Sequence, residues 1–307
     1  MTRVLRLGTR ASALATTQSG MVADAIRTEL GREVELVHIT TEGDVNRGPL
    51  AQMGGTGVFV SALRDALLDG RVDLAVHSLK DIPTTPAEGI TLAAVPQRED
   101  PRDVLVARDG LTLGELPAGS KVGTGSPRRA AQLAALGLGL EIVPIRGNVG
   151  TRIGKVTSGE LDGILLAHAG LNRLGRGDEA TEALDPLQML PAPGQGALAI
   201  ECRTEDREIL DLLSALDHAP TRAAVVCERQ VLATLEAGCS APLGALAEVV
   251  EGDDGDELWI RAVALSGDGR LSVRKSSSGP PDQAREIGQR LGSEMLADGA
   301  ADLMETP

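Results

Sequence analysis

The sequence predicts an α/β protein made of two α/β lobes of similar size and a smaller α+β C-terminal domain. Three observations carry this. The opening residues alternate strand and helix. The same alternation restarts after Gly119, and beyond Pro220 it gives way to a helix, a hairpin and a last helix. The 307 residues, 42% hydrophobic and 24% charged, have ordinary globular composition and length for two or three domains.

Residues 3–7 read as a strand ending at Gly8, and Ser12 can cap a helix whose Leu14, Met21, Val22, Ala25, Ile26 and Leu30 keep a helical period up to Gly31. Residues 34–40 are rich in β-branched side chains and continue as a strand, so the opening is a βαβ unit with parallel pairing. A loop carrying Gly43, Gly48, Gly54, Gly55 and Gly57 leads into an amphipathic helix, 59–68, and a strand, 72–76. In the second lobe, 121–124, 140–145 and 163–167 are strand-like, while 127–136 and 149–157 are helical. The strand-like run 197–202 follows a proline-rich segment and could join either lobe. A helix over 220–235 ends at Gly238, strands 258–265 and 271–274 flank the turn 266–269, and a last helix covers about 282–296. The acidic stretch 251–257 reads as a solvated loop.

A net charge of −14 argues against nucleic-acid and anionic-membrane partners. Phe59 and Trp259 are the only aromatic residues, so stacking platforms for single-stranded bases cannot be built. Cys202, Cys227 and Cys239 are odd in number and widely spaced, which fits a reducing cytoplasm. The first twenty residues lack the apolar core of a secretion signal, and no stretch approaches the roughly 18 uninterrupted apolar residues of a membrane span, so a soluble intracellular protein is expected. There is neither GxxxxGK[ST] nor a strand-linked GxGxxG, and His38, His77, His168 and His218 lack ligand spacing, so no nucleotide or metal is expected.

Three local features can carry chemistry. Residues 121–176 hold eight basic side chains against three acidic ones, a net +5, leaving −19 for the rest. Several of these arginines stand at helix starts, as in Gly125-Ser126-Pro127-Arg128-Arg129 and Arg146-Gly147-Asn148-Val149, where guanidinium forks and backbone N–H groups suit a small polyanion. The bland reading is that they solvate exposed helix faces. Second, His77-Ser78-Leu79-Lys80-Asp81 follows a strand, where open α/β sheets bind ligands, and its Lys-Asp pair suits acid/base work. Alternatively it is a capped turn with a surface ion pair. A serine hydrolase is disfavoured, because adjacent strand residues point apart and G-x-S-x-G is missing. Third, Cys239 lies in a turn after Gly238 and is reachable as a nucleophile or is a buried small residue, whereas Cys202 and Cys227 fall in apolar patterns expected in the core.

Together these segments resemble the porphobilinogen deaminase (hydroxymethylbilane synthase) family over essentially the whole chain. The look-alikes are Leu5-Arg6-Leu7-Gly8-Thr9-Arg10-Ala11-Ser12, the run DLAVHSLKDIP from Asp73 to Pro83, Arg98-Glu99-Asp100-Pro101-Arg102-Asp103, Arg146-Gly147-Asn148-Val149-Gly150-Thr151-Arg152, Pro193-Gly194-Gln195-Gly196 and Glu236-Ala237-Gly238-Cys239, in family order. The resemblance implies two lobes like those of periplasmic solute-binding proteins around a cleft: 1–96 with 197–215, and 97–196. An α+β domain, 216–307, would carry the cofactor cysteine. It implies a transferase that condenses four porphobilinogen molecules head to tail with loss of ammonia and releases hydroxymethylbilane, for haem biosynthesis, as a cytoplasmic monomer. By motif match, Cys239 would hold a covalent dipyrromethane primer. Asp81 and Lys80 would be catalytic and, with Ser126, Arg128 and Arg129, would contact the primer. Arg10, Ser12, Arg146, Arg152, Arg173 and Gln195 would bind substrate. One departure stands out: Gln52 and Thr56 occupy loop places where many family members carry lysine, although the glycines still suit a lid. Two other readings remain, a two-lobed binder of small anions and a paralogue without turnover.

Overall fold

The computed structural model describes residues 3–40, 57–237, 241–252 and 255–305. In chain order they form β1 (Leu5–Thr9), α1 (Ala13–Leu30), β2 (Val34–His38), α2 (Gly57–Leu68), β3 (Leu74–Ser78), β4 (Ile90–Ala94), β5 (Asp103–Ala107), β6 (Lys121–Thr124), α3 (Pro127–Ala135), β7 (Glu141–Pro144), α4 (Val149–Thr157), β8 (Gly163–Ala167), α5 (His168–Arg173), β9 (Glu182–Ala183), β10 (Leu198–Arg203), α6 (Arg207–Ser214), α7 (Ala219–Thr234), β11 (Leu243–Gly252), β12 (Gly255–Leu265), β13 (Ser272–Gly279), α8 (Ala284–Ala297) and α9 (Ala300–Glu305). No helix among the described residues is long and apolar enough to cross a membrane. Internal contacts divide the chain into two units, Met1–Arg98 with Ala197–Arg222, and Glu99–Gly196 with Ala223–Pro307.

The first unit is built on the sheet β2-β1-β3-β10-β4. Ser12 caps α1 by accepting the Ala15 N–H at 3.3 Å, and Gly31, at φ +62°, supplies the left-handed residue that ends it. The helix turns Val22, Ala23 and Ile26 onto Leu5, Leu7, Val34 and Leu74. β1 pairs in parallel with both β2 and β3, so the chain reverses its winding between β1 and β3 and leaves a crevice at their carboxyl ends. β3 starts and ends two residues later than expected, which draws His77 and Ser78 into the strand. β10 settles the ambiguous run: it lies antiparallel between β3 and β4 with Leu198 opposite Ser78, and it buries Ile200 and Cys202 in the same core.

The second unit repeats the pattern as β7-β6-β8-β5-β9, with β6 parallel to β7 and β8. Its crevice therefore lies at the carboxyl ends of β6 and β8. The three-stranded antiparallel sheet β11-β12-β13 packs α7 and α8 on a core of Cys227, Val231, Leu258, Ile260, Ile287 and Leu291. Gly288 is required there, since a Cβ would stand 2.4 Å from the Cys227 carbonyl oxygen. Leu190 joins this sheet to the lobe through Leu246, Val263 and Leu265. The acidic stretch expected as a loop is a correction: Glu251 and Asp256 are cross-strand partners in a β11–β12 hairpin, because backbone pairing continues to its end while the carboxylates face solvent.

Candidate active site

In the first unit, Arg10 and Ser12 follow the end of β1, Ser78 is the last residue of β3, and Lys80 and Asp81 follow it, along one sheet edge. The turn Leu79–Asp81 is anchored by its fully buried leucine, whose N–H donates to the Ala197 carbonyl at 3.0 Å. Lys80 and Asp81 are thereby held half-buried at that edge. His77 and Ser78 point apart, as strand neighbours must, and do not form a nucleophile–base pair. Ser78 Oγ accepts from Gln18 Nε2 on α1 at 3.0 Å. His77 Nε2 stands 3.3 Å from Glu201 Oε2, and Arg64 grips that carboxylate from two nitrogens at 3.0 and 2.6 Å. Burial pushes the Glu201 carboxyl up, but the nearby His77 ring and the two hydrogen bonds from Arg64 outweigh it and hold the group at about 2.

In the second unit, Ser126 caps α3, its Oγ accepting the Arg129 N–H at 3.4 Å. A cap uses the oxygen lone pair and leaves the O–H able to donate. The first turn of α3 points Arg128 and Arg129 inward, 4% and 5% exposed, onto the fully buried Asp103 that opens β5. Arg128 NH1 donates to Asp103 Oδ2 at 2.7 Å and to the Leu190 carbonyl at 2.6 Å. Arg129 donates to Asp103 Oδ1 from Nε (3.0 Å) and NH2 (2.7 Å), and to the Leu165 carbonyl from NH1 (3.0 Å). Gln195, 1% exposed, donates its amide to the same Oδ1 and to the Pro101 carbonyl, both at 2.8 Å. Burial alone would raise the Asp103 pKa, yet the two arginines hold it well below the carboxylate range.

Reading the arginines as solvated helix faces fails for this pair, and the +5 segment divides into distinct roles. Lys155 and Arg176 are ion-paired to Glu160 and Glu179. Arg146 is exposed beside the Asn148 cap of α4. Arg152 donates Nε to the Gly147 carbonyl at 2.8 Å, and its pKa is lowered by burial and then by the charge of Arg129. Arg173 donates NH2 to the Gly196 carbonyl at 2.6 Å, and burial lowers its pKa against the pull of Glu99. Among the described residues, the buried Nε atoms of Arg128 and Arg173 find no hydrogen-bond partner. Orphaned guanidinium N–H groups and two mutually repelling cations fit a polycarboxylate, whose charge would relieve both.

Cys239 and the glycine loop with Gln52 and Thr56 lie outside the described residues. Cys202 and Cys227 are core residues as expected, and burial pushes their thiols to about 11 and about 12, too high for thiolate chemistry. Sequence reasoning missed the roles of Asp103 and Glu201. Glu201 was detectable as a carboxylate inside an apolar strand; Asp103 was one acidic residue among several in its motif.

A family model described as porphobilinogen deaminase, dipyromethane cofactor binding domain, matches residues 5–211, and the porphobilinogen deaminase C-terminal domain matches 222–297. The chain belongs to the porphobilinogen deaminase family. Curated porphobilinogen deaminases similar to it come from Nocardia farcinica (58% identical, covering 98% of this chain and 88% of the relative), Streptomyces avermitilis (60%, 98% of each) and Mycobacterium tuberculosis (56%, 98% of each). Among solved structures, a periplasmic substrate-binding protein from Coxiella burnetii overlays with TM-score 0.43 at 16% identity, covering 69% of this chain and 92% of its own. The L-cystine solute receptor of Neisseria gonorrhoeae gives 0.40 at 14%, covering 69% and 84%. Those overlays are too loose to bear on the site. As a porphobilinogen deaminase the chain is a transferase: it polymerises four porphobilinogen molecules into hydroxymethylbilane with release of ammonia, using a dipyrromethane primer.

Proposed function

We propose that Asp81 is the catalytic carboxylate of this polymerisation, that Cys239 carries the primer by a thioether, and that the arginines at the β6 and β8 ends hold its carboxylates. The observation that carries the reading is the buried pair Arg128 and Arg129, two cations on the single carboxylate of Asp103 with Arg152 close to Arg129, in a chain of net charge −14. The bound dipyrromethane supplies a pyrrole carbon nucleophile and the carboxylates that these cations match. Ser126 donates its O–H to a primer carboxylate. Arg10, Ser12, Lys80 and Arg146 bind the acetate and propionate groups of incoming porphobilinogen. When ammonia leaves the substrate, Asp81 stabilises the positive charge developing on the pyrrole nitrogen and later accepts a proton; an amide does neither well. Gln195, sealed in the interior with its amide on Asp103, acts by supporting that group. The net charge and two sealed free thiols support a cytoplasmic monomer.

The test is the intact mass of chain purified from a host that makes porphobilinogen. A two-ring adduct that disappears in Cys239→Ser is expected. An unmodified native chain would overturn the reading and favour a reversible anion binder.

A further inference from the structure

We propose that Asp103 is a positioning residue for primer capture: its carboxylate sets the orientation of both Arg128 and Arg129, so that their remaining N–H groups converge on the primer carboxylates. The proposal rests on the arginine site described above and deepens it.

Asp103 is fully buried, and each of its oxygens is assigned to one guanidinium. Oδ2 takes Arg128 NH1, whose second bond goes to the Leu190 carbonyl. Oδ1 takes two nitrogens of Arg129, whose NH1 is held by the Leu165 carbonyl. A guanidinium is planar, so the three anchored nitrogens of Arg129 fix its whole fork, while on Arg128 the two acceptors gripping NH1 from Asp103 and Leu190 set the plane in which its other N–H groups lie. What remains on Arg128 includes the buried Nε that has no partner among the described residues. The carboxylate neutralises one of two adjacent cations, leaving a net positive charge for an anionic ligand.

The carboxylate is itself held. Gln195 donates to Oδ1 at 2.8 Å, and the preceding Gly194 N–H donates to the buried Glu228 of α7 at 2.6 Å. The arginine pair is thus linked, through the Gly194-Gln195 backbone and its two hydrogen bonds, to α7, the helix that precedes Cys239 in the sequence. If Asp103 only balanced charge, any buried anion at this place would serve; if it orients, moving the same charge by one methylene disturbs both forks.

The experiment measures intact mass and melting temperature of full-length Asp103→Asn, Asp103→Glu and Arg128→Ala from a porphobilinogen-producing host. The fraction of soluble, folded chain carrying the two-ring adduct is expected to fall at least about tenfold in Asp103→Asn, as misplacement of binding groups does. A clear fall is expected in Asp103→Glu as well, and this variant decides the matter if Asp103→Asn does not fold. Full adduct in folded Asp103→Glu means charge balance and overturns positioning. Full adduct in Asp103→Asn together with its loss in Arg128→Ala overturns the role of Asp103 alone. Full adduct in all three overturns the arginine site as well.

Discussion

Asp81 closes the turn Leu79–Asp81 and is held half-buried at the sheet edge by the leucine packed beneath it. Two roles for such a carboxylate differ in what its loss would change. As the group that carries the pyrrole cation and then accepts a proton, it should be worth roughly 10²- to 10⁴-fold in rate, so Asp81→Asn is expected to lose at least about that much turnover. Asp81→Glu keeps the charge about one methylene away and should retain a measurable fraction. As a turn residue or partner for Lys80 it would be worth about 1 kcal/mol of stability and nothing in turnover. Turnover and melting temperature of Asp81→Asn separate the two, and near-normal turnover would remove it from the mechanism. At this same scale Cys239→Ser is expected to fold and to carry no adduct, in contrast to substitution of the sealed Cys202 or Cys227. The motif around Asp81 was legible in sequence because strand end, turn and side chain are contiguous. Asp103 was not, because its meaning comes from Arg128, Arg129 and Gln195, which lie 25, 26 and 92 positions away.

Elements show the same division. The caps at Ser12, Ser126 and Asn148 and the glycine stop of α1 act within one turn, and the helices they bound were readable. Strands β4, β5 and β11 went unrecognised, since a short apolar run becomes a strand only when a partner completes its hydrogen bonds. β11 also depends on a buried side chain: Glu228 of α7, 0% exposed, accepts the Ala247 N–H at 2.8 Å through Oε1 and the Gly194 N–H at 2.6 Å through Oε2. Glu228→Ala strands both donors, and at about 1–3 kcal/mol per unsatisfied buried group it should lower stability by about 2–6 kcal/mol. Urea unfolding monitored by far-ultraviolet circular dichroism reads this. A loss smaller than about 1 kcal/mol would mean that water replaces the carboxylate and that the tie is not structural.

Across the whole molecule, an acidic protein holds several of its buried or half-buried carboxylates ionised by pairing them with arginines. Asp73 and Asp100 are held at about 2, each against the upward push of burial, by Arg6 and by Arg102. Glu201 is likewise held at about 2 by His77 and Arg64. Folded values below unfolded ones mean stability that is complete above about pH 4.5 and is lost as pH falls toward 2. For Glu201 the displacement from 4.5 to about 2 is worth about 3 kcal/mol. Glu201→Gln should therefore be less stable at pH 7, yet lose about 3 kcal/mol less than the native chain between pH 5 and pH 2. Parallel urea midpoints across that range would assign the acid sensitivity elsewhere. The sequence by itself determined the alternation of strands and helices, the two similar lobes, the caps, and the conjunction of a strand-end Lys-Asp pair with an arginine-rich segment, because each is written within a few neighbouring residues. Tertiary structure decided that residues 198–203 return to the first lobe, that two of the arginines turn inward onto Asp103 while Lys155 and Arg176 stay at the surface, and that Glu201 meets Arg64 from 137 positions away. These outcomes depend on which distant segments share a core, and local periodicity holds no record of that partner.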